Sequence, residues 1–172
     1  AAWITYRATL YNIAIDKQTI KPDRSRVGAF CMYQYSRMFG VTRIPNIPAD
    51  HNTSTDSTAA SRHITVLVRD NVYELPVINE HGEIYPLATI EQALRDMVAD
   101  AQKAEGDGIP VMTCDDRDTW TRAREHLLSV SPQNRLSLQS VQKSLFVLSL
   151  DCNNLGAPEG AKPLVGSEPS YS

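Results

Sequence analysis

The chain has too few cysteines to be stapled. Cys31, Cys114 and Cys152 are odd in number, far apart and without a CxxC pair, so neither a disulfide framework nor a zinc ligand set is spelled out. They read as reduced thiols of an intracellular protein, each a small buried hydrophobe. Long apolar runs are also missing. The longest is Ala29 to Tyr33, far short of the ~20 residues that cross a bilayer, and no charged-then-apolar leader opens the sequence. The expectation is a chain that neither spans a membrane nor is exported. Nor is there a block of one charge: 17 Lys plus Arg stand against 20 Asp plus Glu, for a net charge of -3. That balance gives no field to gather a nucleic acid or an anionic membrane surface.

Several catalytic signatures are absent too. There is no GxxxxGKS/T phosphate loop, no GxGxxG, no GxSxG elbow and no HExxH, which removes whole classes of hydrolase and nucleotide enzyme. What remains is an ordinary globular composition, 42% hydrophobic and 22% charged over 172 residues. One domain of that length removes roughly 70% of its unfolded surface from water.

Periodicity places the elements. Trp3, Tyr6, Leu10 and Ile13 fall on one helical stripe. Lys21 to Gly28 interrupts it, and Ala29 to Phe39 reads as a short apolar helix closed by Gly40, followed by an extended Arg43-Ile44-Pro45. Residues 46 to 61 hold six Ser/Thr and almost nothing large and apolar, so they read as a surface loop. Ile64 to Val68 and Val72 to Ile78, β-branched and separated by Asp70-Asn71, predict a β-hairpin. His81-Gly82 then turns the chain.

Ile90, Ala93, Leu94, Met97, Val98 and Ala101 give the strongest helical stripe, with Thr89 and Gln92 at capping-box spacing and Gly106 and Gly108 ending it. A strand is expected over Ile109 to Met112. Asp115 is the expected N-cap of a helix carrying Trp120, Ala123, Leu127 and Val130. Pro132 starts another helix through Lys143, and Leu145 to Leu150 fits a strand or a helix end. The fold class that follows is α/β, with a sheet packed on helices.

Four histidines are available for chemistry. His51, His63, His81 and His126 sit in a polar loop, before a strand, in a turn and on a helix, with no metal-ligand spacing between any two. A catalytic base needs a positioned partner, and nothing local supplies one. Asp115-Asp116-Arg117-Asp118 reads as helix capping rather than a cation site, because carboxylates there meet free N–H groups and Arg117 would repel a cation. Arg43 reads as an ion-pairing residue inside the fold. No metal site is expected.

Four segments together resemble the carnitine/choline acyltransferase family. Cys31-Met32-Tyr33-Gln34-Tyr35 through Phe39 to Thr42-Arg43-Ile44-Pro45 is similar to its "CMxQY...F..TRIP". The hairpin from His63 with the His81-Gly82 turn follows. Thr113 to Trp120 resembles "LTxxNRDxWA", and Val141-Gln142-Lys143-Ser144-Leu145-Phe146 to Leu150-Asp151 resembles "IQxSLFxxxLD". The carnitine acetyltransferase branch looks most similar. Asn46 stands where the family usually has Gly, and Ala29-Phe30 where "PL" precedes "CM".

The resemblance implies a two-lobed α/β fold that moves short acyl groups between coenzyme A and carnitine. A histidine in a segment similar to "HGGGxxxxxNRWFDK" deprotonates the carnitine hydroxyl for attack on the thioester. That segment and the carnitine and coenzyme A contacts lie outside the matched stretches, so no catalytic, cofactor-binding or metal residue is carried onto this chain. The chain is therefore expected to be part of an amino lobe, truncated before the catalytic segment and inactive alone. Residues 1–151 form the partial lobe, with a mixed sheet packed against helices. Coenzyme A thioester is a co-substrate of the full enzyme only. The expected partners are carnitine, acyl-CoA and the second lobe, in a mitochondrial, peroxisomal or cytoplasmic setting. The alternatives are a choline acyltransferase fragment and a non-catalytic α/β binding module.

Residues 152–172 are expected to be a disordered tail, because 153–172 hold six of the chain's 18 Gly and Pro residues and few large apolar groups. Limited proteolysis should clip this tail first. Amide exchange there as slow as in the helix from Ile90 to Ala101 would contradict the expectation.

Overall fold

The computed structural model describes residues 1–55, 61–103 and 115–150. Helix α1 (Ala2–Asp16) leads into two short strands, β1 (Arg24–Ser25) and β2 (Gly28–Ala29), and a 3-10 helix (Met32–Arg37). Then come β3 (Val41–Ile44), β4 (His51–Ser54), β5 (His63–Val68), β6 (Asn71–Pro76), α2 (Leu87–Ala101), α3 (Arg117–Val130), α4 (Pro132–Lys143) and β7 (Val147–Leu150). The fold is α/β, as the sequence predicts.

The principal sheet has the order β6-β5-β7. β5 pairs antiparallel with β6, Val66 opposite Tyr73, and parallel with β7, Val66 opposite Leu148. The sheet is therefore mixed. β5 is its centre, and Ile64, Val66 and Val68 are completely buried. Successive side chains of a strand point to opposite faces. Ile64, Val66 and Val68 share the core with Ile90 and Leu94 of α2, whereas His63 and Thr65 meet α4 on the other face. The hairpin turns through Arg69, which has φ of 54°. α2 matches its stripe: Ile90, Leu94 and Ala101 are buried, and Ala93, Met97 and Val98 pack around them.

Several expectations need correction. α1 is a helix, but Thr5, Thr9 and Asn12 are its buried residues, while Trp3 is 59% and Ile4 66% exposed. The Thr9 hydroxyl donates to the Thr5 carbonyl at 2.9 Å, so this threonine goes inside with its polar group satisfied one turn back. Tyr6 and Ile13 only flank the core. The segment 29–39 holds the last residue of β2 and the 3-10 helix rather than an α-helix, with Phe30, Tyr33 and Met38 exposed. Gly40 does close it, at φ of 62°.

The presumed loop 46–61 contains β4, which pairs antiparallel with β3, Ile44 opposite His51. α2 begins at Leu87, two residues before Thr89, and has no side-chain cap. The Pro86 carbonyl takes the Thr89 and Ile90 N–H groups, and Gln92 donates to Asp96 instead. Asp116, not Asp115, is the N-cap of α3. Trp120 is half-buried and Val130 exposed, with Thr121 the buried residue of that helix. Cys31 is an exposed thiol rather than a buried one. Cys114, Cys152, the strand at 109–112, the Gly106 and Gly108 stop and the tail lie outside the described residues.

Ile64→Ala should lower stability by about 2 to 5 kcal/mol and Ile64→Val by about 0.5 to 1.5 kcal/mol. Trp120→Ala should cost less than the ~3 to 5 kcal/mol of a fully buried aromatic. Urea midpoints at constant slope measure all three, and the order Ile64→Ala above Trp120→Ala is the outcome that must hold.

Candidate functional site

The histidines are dispersed. His51 opens β4 and is exposed, His81 is exposed in its turn at 3.5 Å from Glu80, and His126 is exposed on α3. His63, the first residue of β5, is partly buried and lies against α4. Its Nε2 is 2.9 Å from the Ser140 carbonyl and 3.4 Å from the Ser140 hydroxyl, and that hydroxyl donates to Glu74. A carbonyl oxygen can only accept, so Nε2 carries the proton. A serine nucleophile needs the reverse, with the imidazole nitrogen accepting from the hydroxyl and the acid holding the other ring nitrogen. Glu, Ser and His therefore meet here as a strand-to-helix fastening.

The charged site of the fold is Asp50. Its carboxylate, 12% exposed, lies 2.6 Å from Arg43 Nε of β3 and 2.8 Å from Arg117 Nε at the start of α3. Arg117 also donates to the Pro48 carbonyl at 3.4 Å. Burial alone would raise the Asp50 carboxyl, but the Arg117 and Arg43 charges, with the Asn46 backbone N–H, hold it below its ordinary value. Arg43 is thus ion-paired, as its sequence context suggests. The partner was not legible, because Asp50 lies in a stretch with no periodicity.

Asp116 accepts from the Asp118 and Thr119 N–H groups and from the Thr119 hydroxyl. The hydroxyl bond and then the backbone donors lower its carboxyl. Asp116 of this acidic run thus caps α3. Among the described residues no group of three or more His, Cys, Asp or Glu could hold a metal ion.

A concavity of about 780 Å³ opens between the start of α1, one side of α2 and the end of β7, with Trp3, Leu94, Arg95, Val98 and Leu150 on its wall. It lies at the carboxyl end of the parallel pair β5 and β7, the edge where α/β sheets place ligands. Arg95 is tied to Glu91 at 2.6 Å. None of the four histidines lines this space; its charged side chains are Glu91 and Arg95, paired with one another.

No described helix is long and apolar enough to cross a membrane. The chain matches the family described as Choline/Carnitine o-acyltransferase over residues 1–168. It is 33% identical over 120 residues to human mitochondrial carnitine O-palmitoyltransferase 2, covering 70% of this chain and 18% of that protein. It is 29% identical over 148 residues to mouse peroxisomal carnitine O-octanoyltransferase, covering 81% of this chain and 24% of that protein. The human octanoyltransferase is 30% identical over 124 residues, covering 70% and 20%. The chain thus spans about a fifth of the length of the relatives it matches.

The Asp50 clamp has a pH signature. A carboxyl lowered on folding contributes stability that is present above its unfolded value, near 3.8, and is lost as pH falls through the lower folded value. Melting followed from neutral pH down through this window should show a loss that Asp50→Asn reduces, the remainder including Asp116, whose carboxyl is lowered as well. An Asp50→Asn protein as stable as the parent at pH 7 would show that the clamp holds nothing.

Proposed function

The chain belongs to the choline/carnitine O-acyltransferase family, and on that premise we propose that it is part of the amino lobe of an enzyme that moves acyl groups between coenzyme A and carnitine. The match over residues 1–168 carries this reading. In that reaction the carnitine hydroxyl loses its proton to a base and attacks the acyl thioester, releasing coenzyme A thiol. The base must come within hydrogen-bond reach of that hydroxyl. His63 is engaged with Ser140, and His51, His81 and His126 are exposed on three different elements. We infer that the base is supplied from outside these four histidines, by a part of the enzyme that this chain does not carry, together with the carnitine and coenzyme A contacts.

The relatives named above act on palmitoyl and octanoyl groups by their names, so the acetyl preference implied by the motifs is one arm of the test beside those two. Choline stands as the alternative acceptor, since the family description includes it. A mitochondrial or peroxisomal setting is proposed from the same relatives' names.

Thiol release from acetyl-, octanoyl- and palmitoyl-CoA, with carnitine, choline or neither, tests the reading. The 172-residue chain should show no acceptor-dependent release. In a longer protein carrying this sequence, changing His51, His63, His81 and His126 to Gln should leave most turnover intact, because a missing general base would cost ~10²- to 10⁴-fold. Saturable carnitine-dependent release by the 172-residue chain, abolished by one of these changes, would place the base within this sequence. Failure of the longer protein to use either acceptor would favour the non-catalytic module.

A further inference from the structure

Helix α1 is inside out. Thr5, Thr9 and Asn12 are its buried residues, while Trp3, Ile4, Leu10 and Tyr11 are exposed. In the same fold α2 has the ordinary arrangement: Ile90 and Leu94 go inside, and Glu91, Gln92, Arg95 and Asp96 face outward. A helix with water on one side keeps its polar residues there, and one that is apolar on that side as well is covered on it. From Ala2 to Ile15 the only charged side chain is Arg7, whose guanidinium lies over the Trp3 ring at 5.6 Å. The outer face also has a shape. A shallow groove of about 600 Å³ runs along it, with the small Ala8 and Ala14 between larger neighbours and Phe39 beside them, its ring edge-on to Tyr11 at 6.3 Å.

Size and charge select the occupant. The 15 residues of α1, at ~1.5 Å each and about 10 Å across, offer a strip on the order of 220 Å². Two separate molecules need about 800 Å² on each side for a stable contact, so a second copy docked on this strip alone would not hold. A lipid surface would call for several basic residues along the helix, and Arg7 is alone. A segment of the same polypeptide avoids most of the association cost, because the connecting chain sets its effective concentration. The relatives show that such chain exists in the family: the matched stretch is 18% of the human palmitoyltransferase and 24% of the mouse octanoyltransferase, so most of either protein lies outside it.

We propose that the outer face of α1 is a docking surface for an uncharged, apolar segment of the same polypeptide lying outside residues 1–172. The proposal rests on the reading of this chain as part of a longer acyltransferase. Ile4→Cys and Leu10→Cys, made singly in a longer protein carrying this sequence, each place one thiol on the strip. Labelling with N-ethylmaleimide, followed peptide by peptide by mass spectrometry so that Cys31 is scored apart, compares the native protein with the same protein in urea. Both thiols should label at least about tenfold more slowly in the native protein, because a covered group reacts only through local opening, and dilution should leave that protection unchanged. A smaller slowing at either position would overturn the surface. Protection lost on dilution would assign the face to a second copy, and equal protection in the 172-residue chain would place the occupant within this sequence; either overturns the proposed occupant. Carnitine- and choline-dependent thiol release by the same preparations keeps the two readings apart. Turnover with freely labelled thiols sinks the surface alone, whereas protected thiols without turnover keep the surface and sink acyl transfer.

Discussion

Everything in this fold is referred to one strand. β5 is hydrogen-bonded on both edges and buried at Ile64, Val66 and Val68. Its neighbours have little choice of register, because a one-residue slip would exchange these side chains with Thr65 and Leu67 and put the wrong set against α2. The antiparallel partner arrives by a local turn. The parallel partner β7 returns about eighty residues later, and needs the intervening helices to cross over. The Leu145 N–H bonds the His63 carbonyl and the Thr65 N–H the Phe146 carbonyl, so the return is fixed before β7 formally starts.

The second sheet is tied to the first through a short backbone relay. The Gly40 N–H donates to the Leu145 carbonyl, and the Thr55 N–H donates to the Gly40 carbonyl, both at 2.8 Å. Gly40 has φ of 62°, and a Cβ there would meet Thr55 at 3.5 Å, an ordinary contact. The demand for glycine is therefore conformational rather than steric. The Thr42 hydroxyl adds a bond to the Gln142 carbonyl across the same junction.

What the sequence made legible follows from where period and burial coincide. The hairpin and α2 are such cases, since their apolar residues are placed by the core they form. In α1 the strongest apolar residues, Trp3 and Leu10, lie outside and two small hydroxyl residues lie inside. A stripe drawn from hydrophobicity alone selects the wrong face when Thr9 satisfies itself on its own helix. β4 was invisible for the opposite reason. His51, Asn52, Thr53 and Ser54 are all exposed, and only the ladder to β3 makes them a strand. The candidate chemistry was legible mainly as dispersal, because sequence spacing already separated the histidines. The fastening of His63 to Ser140 spans 77 residues, beyond any local pattern.

The matched motifs acquire a physical meaning from Asp50. Arg43 belongs to the "TRIP" segment and Arg117 to the "NRD"-like segment, and both guanidiniums converge on this one carboxylate. Asp50 itself sits where β4 begins, so a single residue joins the β3-β4 ribbon to the start of α3. Asp116, the next residue back from Arg117, caps that helix and sets its first turn. Each guanidinium meets a different oxygen of this largely covered carboxylate through its Nε, Arg43 at Oδ2 and Arg117 at Oδ1. Arg43, Asp50 and Arg117 thus give the two resembling segments a shared structural role, joining the β3-β4 ribbon to the start of α3.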